Sequence, residues 1–158
     1  KLPDAEATAE AMMGMLLNAL SGLTLTQTLG TLASGLYGAP EMVVLCDELV
    51  HMIERILAGI TVTDETLAVD VIAEVGHGGH FLTHDHAARF FREELFFPKL
   101  FRRQTIDQWQ ERGSKTITEV AHERVQQILA QAGPVPLPPG ADEALTRALQ
   151  EVAQEGLA

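Results

Sequence analysis

Residues 23–29, LTLTQTL, constrain this chain more than any other stretch. They alternate apolar and polar side chains and are rich in β-branched Thr, which is strand patterning. No other stretch matches it in quality. A lone strand cannot satisfy its own backbone N–H and C=O groups. It needs neighbours, and this sequence supplies none. The helix expected just before it, over residues 5–20, is apolar on almost every side in its second half, through Met12, Met13, Met15, Leu16, Leu17, Ala19 and Leu20. Such a helix has to be covered all round. Together the two segments predict that a sheet continues outside these residues. Strand pairing between two copies, or a helix at 23–29, are the alternatives.

The remainder reads as helices. Pro3 and Asp4 open the first, Asp4 as its N-cap. Gly30, Gly35 and Gly38 make the next stretch flexible. Pro40 and Glu41 start a helix that runs to Ala58 and stops at Gly59. Its apolar face holds Val44, Leu45, Leu49, Met52, Ile53, Ile56 and Leu57, and the other Glu41, Asp47, Glu48, Glu54 and Arg55. Thr63 or Asp64 caps a third helix through Leu67, Val71, Ile72 and Val75, ended by Gly76. Thr83 caps a fourth, from His84 to about Phe97, which Pro98 interrupts. Thr105 with Gln108 fits a capping box for a short helix carrying Trp109, ended by Gly113. Thr116 with Glu119 fits another, for a helix to Gln131 that turns Val120, Ala121, Val125, Ile128 and Leu129 inward. Residues 133–140, GPVPLPPG, form an extended spacer. Residues 142–154 form a last helix that docks through Leu145, Leu149 and Val152.

Hydrophobic residues make up 46% of the 158, too many for a disordered chain. The formal net charge of −11 argues against nucleic acid and against an anionic membrane surface. The only cysteine, Cys46, lies within an apolar helical pattern and reads as a small core residue in a reducing, cytoplasmic setting. No run approaches ~20 apolar residues. The start, KLPDAEATAE, has no apolar region of signal-peptide type. It enters a helix abruptly, which suggests a piece of something longer.

Chemistry-bearing residues concentrate between Gly76 and Gly113. His77, His80, His84 and His86 invite a metal reading, since imidazole is a common ligand. The HxxH pair lies in a glycine-rich loop without Cys or HExxH context, and no metal is expected. The Gly76–Gly79 segment lacks a phosphate-loop register and reads as a chain reversal. Arg89, Arg92, Glu93, Glu94, Lys99, Arg102 and Arg103 form a charge-dense stretch with an i,i+4 pair at Arg89–Glu93. A docking surface for a partner is the alternative there. The phenylalanines at 90, 91, 96, 97 and 101 read as core anchors. Asp70, Glu74 and Asp85 are the acids nearest the histidines, and no catalytic order singles out one pair.

Several blocks resemble the C-terminal part of the trimethylamine methyltransferase family: KLPDAEA at the start, LASGL at 32–36, CDELVHMIERILAGI at 46–60 and DETLAVDVIAEVG at 64–76. GGHFLTHDH at 78–86, FREELFFPKLFRRQTIDQW at 91–109 and GSK at 113–115 complete the set, the histidine and FREE…PKLF blocks being the most specific. The resemblance implies a mainly α chain that is the C-terminal piece of a TIM-barrel (β/α)8 methyltransferase, with one barrel strand and a helical C-terminal extension. Residues 1–60 would be the end of the barrel, 61–132 the extension, and 133–158 the spacer and terminal helix. It further implies methyl transfer from a tertiary or quaternary amine, of trimethylamine or glycine betaine type, to the Co(I) of a corrinoid (cobalamin) carried by a cognate partner protein, with no cofactor bound directly. Thr26 and Gln27 at the strand end and His80 in the glycine loop would line and polarise the substrate pocket. The chain by itself is expected to be inactive and to form homo-oligomers. A non-catalytic helical self-association module and a metal-binding helical protein using the histidine cluster are the competing expectations.

Overall fold

The computed structural model describes residues 2–27, 29–131, 133 and 136–154. They form eight helices and one small antiparallel hairpin, in two compact units, residues 1–127 and 128–158. The first unit is built on α1 (Ala5–Leu20) and α2 (Pro40–Leu57), which pack against each other. Asp4 caps α1 as expected, its Oδ1 accepting from the Ala7 amide at 3.1 Å. Pro40 occupies the first turn of α2, where its missing N–H costs nothing.

The core gathers Met15 of α1, Met42, Leu45, Cys46, Leu49 and Ile53 of α2, Leu100, and Val120 and Ala121 of α7 (Ile117–Gln131). Cys46 is fully buried, and that burial pushes its thiol pKa up, so it is a packing residue as the sequence implied. Ile128 and Leu129, expected inward on α7, are exposed.

The strand expected at 23–29 does not form: no ladder among the described residues includes Leu23 to Gln27. With no adjacent strand to bond to, the segment stays irregular. The hairpin lies further on, between β1 (Thr31–Leu32) and β2 (Tyr37–Gly38), paired Thr31 with Gly38 and Leu32 with Tyr37. Its turn puts Ala33, Ser34 and Gly35 at φ of 50°, 60° and 84°. Only the glycine adopts this region without steric cost.

The third predicted helix splits into α3 (Asp64–Leu67) and α4 (Val69–Val75), because Ala68 between them sits in the left-handed region. The fourth, α5 (Asp85–Glu94), is capped by His84 rather than Thr83 and stops short of Phe97. The stretch from Leu95 to Gln104 is irregular and strapped to α2 at two points. Arg55 donates through Nε and Nη2 to the Glu94 carbonyl at 3.1 and 2.9 Å. Glu48 Oε1 accepts from the Leu100 amide at 3.0 Å. Glu48, expected on the solvent side of α2, is therefore buried. Of the phenylalanines, only Phe101 packs against the core cluster, and Phe91 and Phe97 are exposed. Phe91 lies on α5 and Phe97 on the strap, both outside the α1–α2–α7 contact.

Both predicted capping boxes are present: Thr105–Gln108 opens α6 (Ile106–Glu111) and Thr116–Glu119 opens α7. Trp109 Nε1 donates to the Lys115 carbonyl at 3.0 Å, fixing α6 to the turn that precedes α7. In the second unit α8 (Ala141–Gln154) forms as expected, yet Leu145, Leu149 and Val152 are exposed rather than docked. Residues 134 and 135 of the proline-rich spacer lie outside the described residues.

Candidate functional site

Thr26 and Gln27 lie just beyond the C-terminal end of α1. Ser21 ends that helix, and the Leu23 amide donates back to the Asn18 carbonyl at 3.1 Å, turning the chain around. Asn18 Nδ2 then donates to Thr26 Oγ1 at 3.2 Å, which holds the half-buried Thr26 near the helix end. Gln27 is exposed. Leu17, Leu20, Leu23 and Leu25 around them are also exposed, so the pair sits in an apolar surface.

His80 is exposed in the loop between α4 and α5, and no hydrogen bond among the described residues joins it to Thr26 or Gln27. The other histidines divide by role. His84 Nδ1 accepts from the His86 amide at 3.1 Å, so its Nε2 carries the proton and points to Glu74 Oε2 at 3.5 Å. His86 Nε2 donates to the Glu65 carbonyl at 2.8 Å, and Arg89 pairs with the Glu65 carboxylate. Arg89 thus takes Glu65 of α3 as its partner and not Glu93 one turn along. These contacts close the loop back onto α3. They engage both ring nitrogens of His84 and Nε2 of His86. Among the described residues no group of three or more His, Cys, Asp or Glu side chains is placed to hold a metal ion.

A second cluster escaped the sequence reading. His122 of α7 donates from Nδ1 to Glu41 Oε1 of α2 at 2.7 Å, across a cleft of about 530 Å³ lined also by Pro3, Lys115 and Thr118. That hydrogen bond holds the Glu41 carboxyl below its ordinary value. Glu119, on the same cleft, is lowered by the Thr116 amide. Carboxylates kept ionised in this way are weak bases. Lys115 pairs with Glu123, and Thr118 Oγ1 donates to the Pro3 carbonyl at 2.8 Å. The cleft is thus a set of ties between the N-terminus, α2 and α7. No spacing rule could reveal it, since its partners lie far apart in sequence.

Comparison with known proteins decides the family. A model of the trimethylamine methyltransferase (MTTB) family matches residues 1–156. The chain belongs to the trimethylamine methyltransferase family. It is 36% identical over 155 residues to the trimethylamine methyltransferase MttB of Desulfitobacterium hafniense (strain DSM 10664 / DCB-2), covering 98% of this chain and 30% of that protein. It is 35% identical over 146 residues to the glycine betaine methyltransferase of Desulfitobacterium hafniense (strain Y51), covering 92% of this chain and 30% of that protein. It is 36% identical over 132 residues to the trimethylamine methyltransferase MttB of Methanosarcina barkeri (strain Fusaro / DSM 804), covering 82% and 26%. The match lies in the C-terminal portion of these relatives, and the chain spans less than a third of their length. No described helix is long and apolar enough to cross a membrane.

Proposed function

We propose that the protein containing this chain moves a methyl group from a tertiary or quaternary amine to the Co(I) of a corrinoid carried by a cognate partner protein. The relatives named for trimethylamine and for glycine betaine support the amine class. The observation that carries the reading is the uncovered apolar side of α1 and residues 23–25, beside a segment with strand patterning and no strand partner. A helix and stave of a (β/α)8 barrel have that character before the other staves close round them. In this reading residues 1–60 complete the barrel and the helices after them form its C-terminal extension.

Barrel chemistry sits at the C-terminal ends of the strands. Thr26 and Gln27 would occupy such an end and line the amine pocket, with His80 as a polarising group above it. A methylated amine offers few polar handles. The work left to the protein is to orient the donor carbon and exclude water. A Thr hydroxyl, a Gln amide and an imidazole suit that role and need no covalent step. The corrinoid is a substrate delivered by the partner, not a group held by this chain.

The test is methyl transfer from trimethylamine and from glycine betaine to a Co(I) corrinoid protein, followed by the cobalt spectrum, with the 36%-identical relative as positive control. The protein carrying this sequence is expected to consume one of the two amines, and the 158-residue chain alone to consume neither. No transfer from either amine by the longer protein, with the control active, overturns the proposal.

A further inference from the structure

The loop over residues 76–83 meets α5 through a cap that a proton can remove. His84 is the N-cap, and the capping atom is a ring nitrogen: Nδ1 accepts from the His86 amide at 3.1 Å. The side chains that favour this position cap through an oxygen. Hydroxyl and amide oxygens keep their lone pairs near neutral pH. An imidazole loses its acceptor when protonated, since both nitrogens then donate. Histidine is the side chain that changes charge nearest neutrality.

Nε2 decides whether the ring could turn and restore the bond. It lies 3.5 Å from Glu74 Oε2 of α4, and it carries a proton in either charge state. That contact holds the ring in place on both sides of its titration, and imidazolium has no acceptor to offer in any orientation. A protonated Nδ1 would confront the His86 amide, donor against donor. The dipole at the start of α5 also disfavours a cation there. The Glu74 carboxylate acts the other way and stabilises the cation, but it gives the His86 amide no acceptor.

The surrounding ties do not share this sensitivity. His86 Nε2 donates to the Glu65 carbonyl of α3 at 2.8 Å, a bond that both forms of its ring can make, and Arg89 of α5 pairs with the Glu65 carboxylate. Asp85 follows His84 in α5, and among the described residues neither His77 nor His80 of the loop hydrogen-bonds to it. Loss of the cap therefore frees the first turn of α5 and the loop before it, while α5 stays tied to α3. Three of the eight loop residues are glycine, so the loop backbone adds little stiffness of its own.

We propose that His84 is a proton-operated latch: when neutral it fixes the loop that carries His80 to the start of α5, and when protonated it releases that loop. The inference concerns the loop's closure alone and does not rest on the proposed methyl transfer.

The test is amide hydrogen exchange in the 158-residue chain, followed by NMR at each pH, with the ring signal of His84 titrated in the same samples. His84→Asn supplies an amide oxygen at the same helix start and keeps Glu74 and Asp85, so it is the reference that a proton cannot uncap. Comparison at matched pH removes the direct effect of pH on exchange. Above the titration of His84 the His86 amide should be equally protected in the two proteins. Below it, protection in the unsubstituted chain should fall by about fivefold relative to His84→Asn, the usual worth of one N-cap. His84→Ala should show the lower protection throughout. A ratio unchanged across the ring's titration, a fall that follows another histidine instead, or His84→Ala as well protected as the unsubstituted chain at high pH overturns the assignment. None of these outcomes bears on methyl transfer, so each leaves the proposed function standing.

Discussion

Helices α1 and α2 are of similar length and meet in one core, yet they use their apolar residues differently. In α2 one stripe of Met42, Leu45, Cys46, Leu49 and Ile53 is buried, whereas Val43 and, against expectation, Ile56 and Leu57 near its end are exposed. In α1 the apolar residues surround the helix, and only Thr8 and Met15 are buried while Met13, Leu17 and Leu20 face solvent. One stripe finds its partner within the chain, whereas a helix apolar on two sides finds half of what it needs. The lesson extends to residues 23–27: strand patterning without a neighbouring strand produces no strand.

The sharpest way to break this contrast is Leu45→Ala. Leu45 is 0% exposed at the centre of the α1–α2–α7 contact. Loss of its transfer energy and the cavity left behind should cost about 2–5 kcal/mol in urea unfolding. A cost below about 1 kcal/mol would mean that α2 does not carry the core. Glu48→Ala comes next. It leaves the Leu100 amide without its acceptor in a buried place, which should cost about 1–3 kcal/mol, whereas Glu48→Gln should cost little. Equal costs for the two would place the effect in packing rather than in the hydrogen bond. Gly30→Ala follows. Gly30 sits at φ +76°, and the added methyl would also meet Cγ2 of Val43, a β-branched side chain stiff at χ1 in α2. The backbone term alone costs about 1–2 kcal/mol and the contact adds to it, read as a lowered melting temperature.

The same contrast explains how far the sequence could be read. Both ends of α1, the start of α2 at Pro40 and both capping boxes were legible, because they depend on residues within one or two turns of each other. The break at Ala68 was not, since a left-handed alanine carries no local signal in DETLAVDV. Glu48 was misplaced on the solvent side, although on a helical projection it borders the Leu45 and Met52 stripe. Its partner is a backbone amide 52 residues away, and backbone amides leave no mark in a sequence. The phenylalanines looked like core anchors by composition alone, but Phe91 on α5 and Phe97 on the strap are exposed and only Phe101 packs against the core cluster. Thr26 and Gln27 were placed on a strand end, and the structure sets them beyond the end of α1, where Asn18 donates to Thr26. The family motifs could be read because they are matched residue by residue and need no folding argument.

The ionic tie between α2 and α7 sets a finer test. Glu41 has its carboxyl held below the ordinary 4.5 chiefly by the hydrogen bond from His122. A depressed folded-state pKa contributes stability that is present above the unfolded value and is lost as pH falls through the folded one. The stability lost in His122→Ala should therefore be visible near neutral pH and should shrink at pH values below about 4.5. Glu119 is lowered as well, but its partner Thr116 is untouched by the substitution, so its pH dependence cancels between the two proteins. A stability difference that grows on acidification would show that His122 acts on some other group.

The smallest effect in this chain belongs to the residue that should matter most outside it. Leu25 is 84% exposed in the strand-patterned segment. Leu25→Ser should change the unfolding free energy of the 158-residue chain by no more than about 0.5 kcal/mol, as for other surface substitutions. In the (β/α)8 protein proposed above, the same leucine would stand on a barrel stave between neighbours. Burying its side chain there is worth about 1.5–3 kcal/mol, and serine would forfeit that and add an unpaired hydroxyl. A large cost in the short chain would mean that residues 23–27 already have a covered face, and equal small costs in both proteins would mean that no barrel closes over them. Only a small cost in the short chain joined to a large one in the longer protein fits a helix and stave whose second side is covered from outside these residues.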